Sequence, residues 1–131
     1  MPALRQANPR RQGDIGEAAA IAWLTRAGFG VWIPLGHSPD ADLIAQCDNR
    51  LLRVQVKTST ALRNDRYEVS LATKGGNRSW SGRVKTLDPS RYEYLFVLVG
   101  DGRQWFIPAA QIAAKTMVLL GGPKYAAFEV G

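Results

Sequence analysis

Asp42-Leu-Ile-Ala-Gln-Cys-Asp-Asn-Arg-Leu-Leu-Arg-Val-Gln-Val-Lys57 reads as a β-hairpin with a reactive open end. Two apolar-rich runs, 43–47 and 51–56, flank Asp48-Asn49, whose short polar side chains tolerate the positive φ of a tight turn. With those two residues as the loop, Cys47 faces Arg50, and counting outward sets Asp42 opposite Gln55, about 5 Å apart between Cβ atoms. The period of two then puts Asp42, Ile44, Gln46, Leu51, Arg53, Gln55 and Lys57 on one face. Leu43, Ala45, Cys47, Leu52, Val54 and Val56 form the other, which is the expected core face. A one-residue slip would scatter the carboxylate, amide and ammonium that this register gathers.

Such a trio has two readings. Asp42 and Lys57 could be a rim ion pair closing a hairpin, worth about 0–1 kcal/mol. Alternatively they are chemistry placed where a sheet needs none. The helix upstream bears on the choice. Asp14 offers an N-cap and Gly28 a stop, so a helix is expected to run to about Ala27. Asp14 and Glu17 have capping-box spacing, and Glu17 can be read as a cap partner. Yet Glu17 also shares a stripe with Ile21, Leu24 and Gly28, at i, i+4, i+7 and i+11, and so points towards the sheet. A carboxylate facing a core needs a partner there.

Gly13-Asp-Ile-Gly-Glu17 on a helix, then Asp42-Leu-Ile, a turn and Val54-Gln-Val-Lys57, resembles the PD-(D/E)xK nuclease superfamily, and within it the small homing endonucleases associated with group I introns. The motifs span residues 13 to 59 and, more loosely, the strand over 92–99. The resemblance implies a restriction-endonuclease-like αβββαβ core with catalytic positions Glu17, Asp42, Gln55 and Lys57. Gln55 stands where the superfamily usually has a second acid, and Gln-x-Lys variants belong to the family's known variation. The resemblance further implies a Mg²⁺ ion held by Asp42, the carbonyl of Val56 and Glu17, directly or through water. With Gln55 bringing no charge, one ion is expected rather than two. Asp40 is a rival to Asp42 for the acidic position. Asp42 is preferred because it opens the strand and pairs with Gln55.

The chain has 131 residues, 46% of them apolar, enough for one domain with a single core. No run of about 18 apolar residues and no hydrophobic leader occurs, so a cytoplasmic protein is expected. One cysteine and one histidine exclude an internal disulfide and a Cys/His zinc set. The net charge of +6 is unevenly distributed. Residues 1–13 contain Arg5, Arg10 and Arg11, and residues 69–87 contain Lys74, Arg78, Arg83 and Lys85, with no acid in either segment. Two basic segments on a near-neutral body suit a polyanion, most simply double-stranded DNA. Solvated flexible segments are the alternative.

The remaining elements follow from local signals. Residues 1–12, with two prolines and three arginines, suggest a flexible basic arm carrying Arg10 and Arg11 to DNA. A strand is expected over 29–33, ending at Pro34, then a loop that includes His37, read as a surface residue. Strands around an Asn64-Asp65 turn should turn Tyr67, Val69 and Leu71 inward. Residues 73–85, rich in glycine and serine, carry Lys74, Arg78, Trp80, Arg83 and Lys85, and are expected to be a DNA-gripping loop. A buried strand over 92–99, a hairpin partner over 104–107, a short helix over 109–115 and a strand over 116–120 complete an α/β (α+β mixed) sheet. Gly121-Gly-Pro-Lys124 lacks phosphate-loop spacing and reads as a turn.

These features together predict a Mg²⁺-dependent DNA endonuclease. Two strands need two sites, so a homodimer or homotetramer is expected. A junction resolvase or repair nuclease would share the chemistry and differ in preferring branched DNA. A DNA-binding module that has lost cleavage is the reading from another class, and Gln55 is its only sequence hint.

Overall fold

The computed structural model describes residues 4–36, 38, 41–74, 84–114 and 116–131, with backbone only for 73, 74 and 84–86. It has one α-helix, α1 (Pro9–Arg26), and eleven strands in the described residues. In chain order these are β1 (Gly30–Trp32), β2 (Leu43–Cys47), β3 (Arg50–Ser59), β4 (Leu62–Arg63), β5 (Arg66–Ser70), β6 (Ala72–Lys74), β7 (Val84–Thr86), β8 (Tyr94–Val99), β9 (Gln104–Pro108), β10 (Met117–Leu120) and β11 (Glu129–Val130).

Helix α1 starts earlier than the Asp14 signal suggests. Asn8 is its N-cap, the side chain accepting the Arg11 N–H at 2.8 Å, and Pro9 occupies the first turn. Proline is preorganised for that position and loses no needed donor there. Read as a chain breaker, Pro9 points to an arm; read as N1, it starts the helix. The expectation of a flexible arm over 1–12 is therefore corrected for residues 4–12: Leu4–Gln6 form a 3-10 turn with Leu4 buried, and Arg10 and Arg11 ride on α1. At the other end the helix stops as expected, with Gly28 at φ 97°.

The central sheet has six strands in the order β1-β2-β3-β8-β9-β11. The β2–β3 hairpin has the register read from the sequence, Cys47 opposite Arg50 and Leu43 opposite Val54, with Asp48 at φ 53° in the turn. Strands β3 and β8 run parallel, Val54 beside Tyr94 through Ser59 beside Val99. Parallel strands covered on both faces read as continuous apolar runs, and β8 is buried from Leu95 to Val99.

One face packs under α1, where Ala20 and Leu24 meet Leu43, Ala45, Leu52, Val54, Phe96, Leu98 and Phe106. The other face packs on a three-stranded sheet, β10-β5-β4, joining Leu95, Val97, Trp105 and Ile107 to Tyr67, Val69, Leu71, Val118 and Leu120. Tyr67, Val69 and Leu71 point inward as expected, and Asn64 and Asp65 turn the chain at φ 51° and 65°.

Four further expectations are corrected. The expected α/β mixed sheet with the first helix packed on it is present, but the route from β3 to β8 passes through β4 to β7 and α1 is the only α-helix among the described residues, so the second helix of an αβββαβ order is not seen among them. The helix expected over 109–115 is a single 3-10 turn, Ala109–Gln111. Cys47, assigned to the core face, is exposed, because α1 does not cover the hairpin as far as its turn. The segment 73–85 is not loop throughout: β6 and β7 pair, Thr73 opposite Lys85 and Lys74 opposite Val84. No helix among the described residues is long and apolar enough to cross a membrane.

Candidate active site

Strand β2 ends just where β3 is about to carry Gln55 and Lys57. The Asp42 N–H donates to the Val54 carbonyl at 2.9 Å, and the Val56 N–H donates to Asp42 Oδ2 at 2.8 Å. The carboxylate thus takes the place of the next β2 residue in the ladder. One of its oxygens is held by the strand, so the orientation of the other is set. Beyond this point β3 keeps β8 on one side and, among the described residues, has no paired strand on the other.

Gln55 and Lys57 lie beside Leu95 and Val97 of β8, on the face that packs against the second sheet. Gln55 is 8% exposed, and Lys57 is partly buried. Burial pushes the Lys57 ammonium below the ordinary lysine range, while the Asp42 charge opposes the shift. Lys57 is therefore a partly desolvated cation close enough to Asp42 for the carboxylate charge to act on it.

Glu17 reaches Asp42 from α1, on the other face of the sheet. A mid-helix glycine makes this possible: a Cβ on Gly16 would lie 2.5 Å from Thr58 Cγ2 and 3.3 Å from Val56 Cγ1, so α1 approaches β3 more closely than any side chain would allow. Glu17, the next residue, lines a pocket of about 160 Å³ with Asp42, Ile33, Pro34, Gly36, Ser38 and Ala41. Its carboxyl is raised above the ordinary glutamate value by burial, then by the Asp42 charge, then by Asp14. Two like charges forced together in a small pocket are relieved by a cation, and hard carboxylate oxygens suit Mg²⁺ or a similar ion. The residues present fit a divalent ion in that sense. No group of three or more His, Cys, Asp or Glu side chains exists among the described residues, consistent with an amide at position 55.

A clamp two residues upstream steadies β3. The Glu93 carboxylate accepts from the Arg53 N–H at 2.8 Å and from its guanidinium at 2.6 Å, while the Glu93 N–H donates to the Arg53 carbonyl at 2.9 Å. Hydrogen bonding to Arg53 holds the Glu93 carboxyl below its ordinary value. The pair joins β3 to the chain entering β8, and so bears on where Gln55 and Lys57 sit.

Of the residues expected from the sequence, Asp42 lies close enough to both Glu17 and Lys57 for its charge to act on each, Gln55 sits opposite Asp42 by register, and Val56 contributes its N–H to Asp42. Arg10 and Arg11 are exposed in the first turn of α1. Lys74 and Lys85 fall on β6 and β7. Arg78, Trp80, Arg83, Asp40 and His37 lie outside the described residues. Sequence reasoning missed the close approach at Gly16, the pocket walls Ile33, Pro34, Gly36 and Ser38, and Glu93. A glycine inside an otherwise regular helix is a signal that would have found the first.

Comparison with known proteins bears on the fold and the family. A solved bacterial homing endonuclease matches with 22% sequence identity and a TM-score of 0.79, over 94% of this chain and 89% of its own, a likeness of fold. No curated protein matches. Residues 7–123 match the PD-(D/E)XK endonuclease family. Since the match takes in the helix of Glu17, the hairpin of Asp42 and Lys57 and the parallel pair beyond, the chain belongs to the PD-(D/E)XK endonuclease family.

Proposed function

We propose that this endonuclease hydrolyses phosphodiester bonds of double-stranded DNA with Mg²⁺, in the manner of a homing endonuclease, and that it works as a homodimer or homotetramer. Nucleases of this family generally use divalent metal ions. The observation carrying the reading is the meeting of Glu17 and Asp42 in one pocket, with Asp42 Oδ2 anchored by the Val56 N–H. The free oxygen of Asp42, the Val56 carbonyl and Glu17 would hold the ion. When bound, such an ion polarises the scissile phosphate and lowers the pKa of a bound water.

The chain's own groups account for the remaining steps. Lys57 Nζ, partly desolvated and within range of the Asp42 charge, orients the attacking water and donates to the phosphoryl oxygen on which charge develops. The water oxygen bonds to phosphorus as the ester P–O bond breaks, and a proton passes to the leaving oxygen. Gln55 orients the site through its amide and adds no charge. Lys74, Arg78, Trp80, Arg83 and Lys85 supply backbone contacts to DNA, with Arg10 and Arg11 on α1.

The test is cleavage of linear and four-way DNA with and without Mg²⁺. Asp42→Ala and Lys57→Ala should each abolish Mg²⁺-dependent cleavage while DNA affinity stays within about tenfold, because they serve chemistry rather than docking. Near-normal cleavage by Asp42→Ala, with Asp40→Ala inactive, would move the metal ligand to Asp40. A preference for four-way DNA would make the enzyme a junction resolvase.

A further inference from the structure

The pocket of Glu17 and Asp42 is completed by Ile33, Pro34, Gly36, Ser38 and Ala41, and part of that wall is apolar surface the fold does not use. Ile33 is 65% exposed, and Leu35, which the chain sets between the wall residues Pro34 and Gly36, is 107% exposed. Neither joins a hydrophobic core. Single apolar side chains on a surface are ordinary. These two flank a proline on the rim of the candidate metal site.

The stem that carries them is held. Strand β1 pairs with β2 up to Trp32 opposite Ile44, and the Trp32 indole N–H donates to Gln46 Oε1 at 2.8 Å. Pro34 then fixes φ within the segment, and Ile33 is β-branched and stiff at χ1. A segment ordered in advance loses little entropy when it meets a ligand.

We propose that Ile33-Pro34-Leu35 is a wedge that enters the DNA base stack, Leu35 leading, at the step next to the bond being cut. The proposal rests on the nuclease reading, which puts the scissile phosphate at Glu17 and Asp42. A pocket of about 160 Å³ is roughly 5 Å across, less than two base-pair rises of about 3.4 Å, so a side chain on its rim meets the nucleotides flanking that phosphate. Chemistry decides what it meets there. Among the described residues this wall carries no cation, so it does not neutralise phosphate; it offers methyl groups and a proline ring, which suit base faces and deoxyribose. Isoleucine, leucine and proline are side chains that insert between base steps from the minor groove, unstacking them and bending the duplex by about 20–90°. Unstacking costs least at flexible pyrimidine–purine steps. The wedge therefore gives the enzyme a preference at the cut without a hydrogen bond to any base.

The experiment reads DNA unwinding, which needs no target sequence. A closed circular plasmid is relaxed by a metal-independent type I topoisomerase in EDTA, with the full-length protein at saturation by mobility shift, and the linking-number shift is read on a gel. Wild type, Leu35→Ala and Leu35→Phe are compared. Leu35 is exposed, so thermal melting should show both variants folded. Wild type should leave the plasmid underwound, Leu35→Ala should cut the shift per bound protein at least about threefold, and Leu35→Phe, which restores bulk, should recover most of it. The slope of log affinity against log salt should be the same in all three, because no charge is removed. Wild-type protein that binds and leaves the linking number unchanged, or an equal shift from Leu35→Ala, would overturn the wedge; cleavage of linear DNA by the same protein would keep the nuclease reading. Lost unwinding accompanied by a changed sedimentation mass in Leu35→Ala would overturn the wedge as well, since the side chain would then be a subunit contact. A protein that binds no DNA would remove both readings.

Discussion

Replacing Gly16 by alanine adds a single methyl group, and the structure shows what that methyl meets. Its carbon would stand 2.5 Å from Thr58 Cγ2 and 3.3 Å from Val56 Cγ1, against about 3.5–4.0 Å for an ordinary carbon contact. Both neighbours are β-branched and stiff at χ1, so α1 must retreat by about 1 Å rather than displace them. Overpacking of this kind costs about 1–3 kcal/mol, and alanine returns about 0.8–1 kcal/mol of helix propensity. The net loss of stability should be on the order of 0–2 kcal/mol, a fall of a few degrees in melting temperature. Glu17 is the adjacent residue and moves with the helix. A displacement near 1 Å at a reacting group lowers rate by about 100-fold. Gly16→Ala should therefore cleave roughly 10- to 100-fold more slowly in single-turnover assays while remaining folded. Thr58→Ser removes the offending methyl, and combined with Gly16→Ala it should recover much of the rate, incompletely because the Val56 contact remains. Cleavage by Gly16→Ala within about threefold of wild type would refute the close-approach argument. So would a double variant no faster than the single one.

Proton and metal should compete at Glu17: its raised pKa means that the carboxyl protonates at a higher pH than a free glutamate, so Mg²⁺ affinity by calorimetry should weaken on acidification from above 4.5, and Glu17→Gln should lose that dependence. A weakening centred at or below 4.5 would contradict this. Arg10 shares a helical stripe with Asp14 and Glu17, whereas Arg11 points about 100° further round, away from Gly16, Ala20 and Leu24. Arg10→Ala should flatten the plot of log DNA affinity against log salt by about 0.9, and Arg11→Ala should leave it alone; equal effects would mean that α1 does not present one face to DNA. Removing Lys74, Arg78, Arg83 and Lys85 together should flatten the same plot by roughly 3 to 4, and an unchanged slope would clear that segment of phosphate contact. Glu93 is held below its ordinary pKa by Arg53, so its contribution to stability is present above the unfolded glutamate value and is lost as pH falls through the lower folded value. Glu93→Gln should cost about 1–2 kcal/mol by chemical denaturation at neutral pH and progressively less in acid, the pair being partly exposed.

The sequence by itself determined what depends on neighbours along the chain. The Asp48-Asn49 turn sets the hairpin register, and a period of two then gathers Asp42, Gln55 and Lys57 without reference to anything distant. Gly28 ends α1, Asn64-Asp65 turns the chain, and the run over 95–99 is apolar enough to be read as a buried strand. The start of α1 was also local, but two start signals competed, and Asn8-Pro9 prevailed over Asp14 because its cap bond and fixed φ act together. Tertiary structure decided everything that depends on coverage and close approach. Cys47 obeys the core pattern yet is exposed, because alternation says which face a residue is on and not how far a helix extends over it. The stripe of α1 aims Glu17 at a sheet, but only the contact of Gly16 with Thr58 and Val56 brings it to Asp42. The crossover through β4 to β7, the clamp of Arg53 by Glu93 and the apolar rim of Ile33 beside Glu17 and Asp42 join residues far apart in sequence, and no local periodicity encodes which distant surface will cover which.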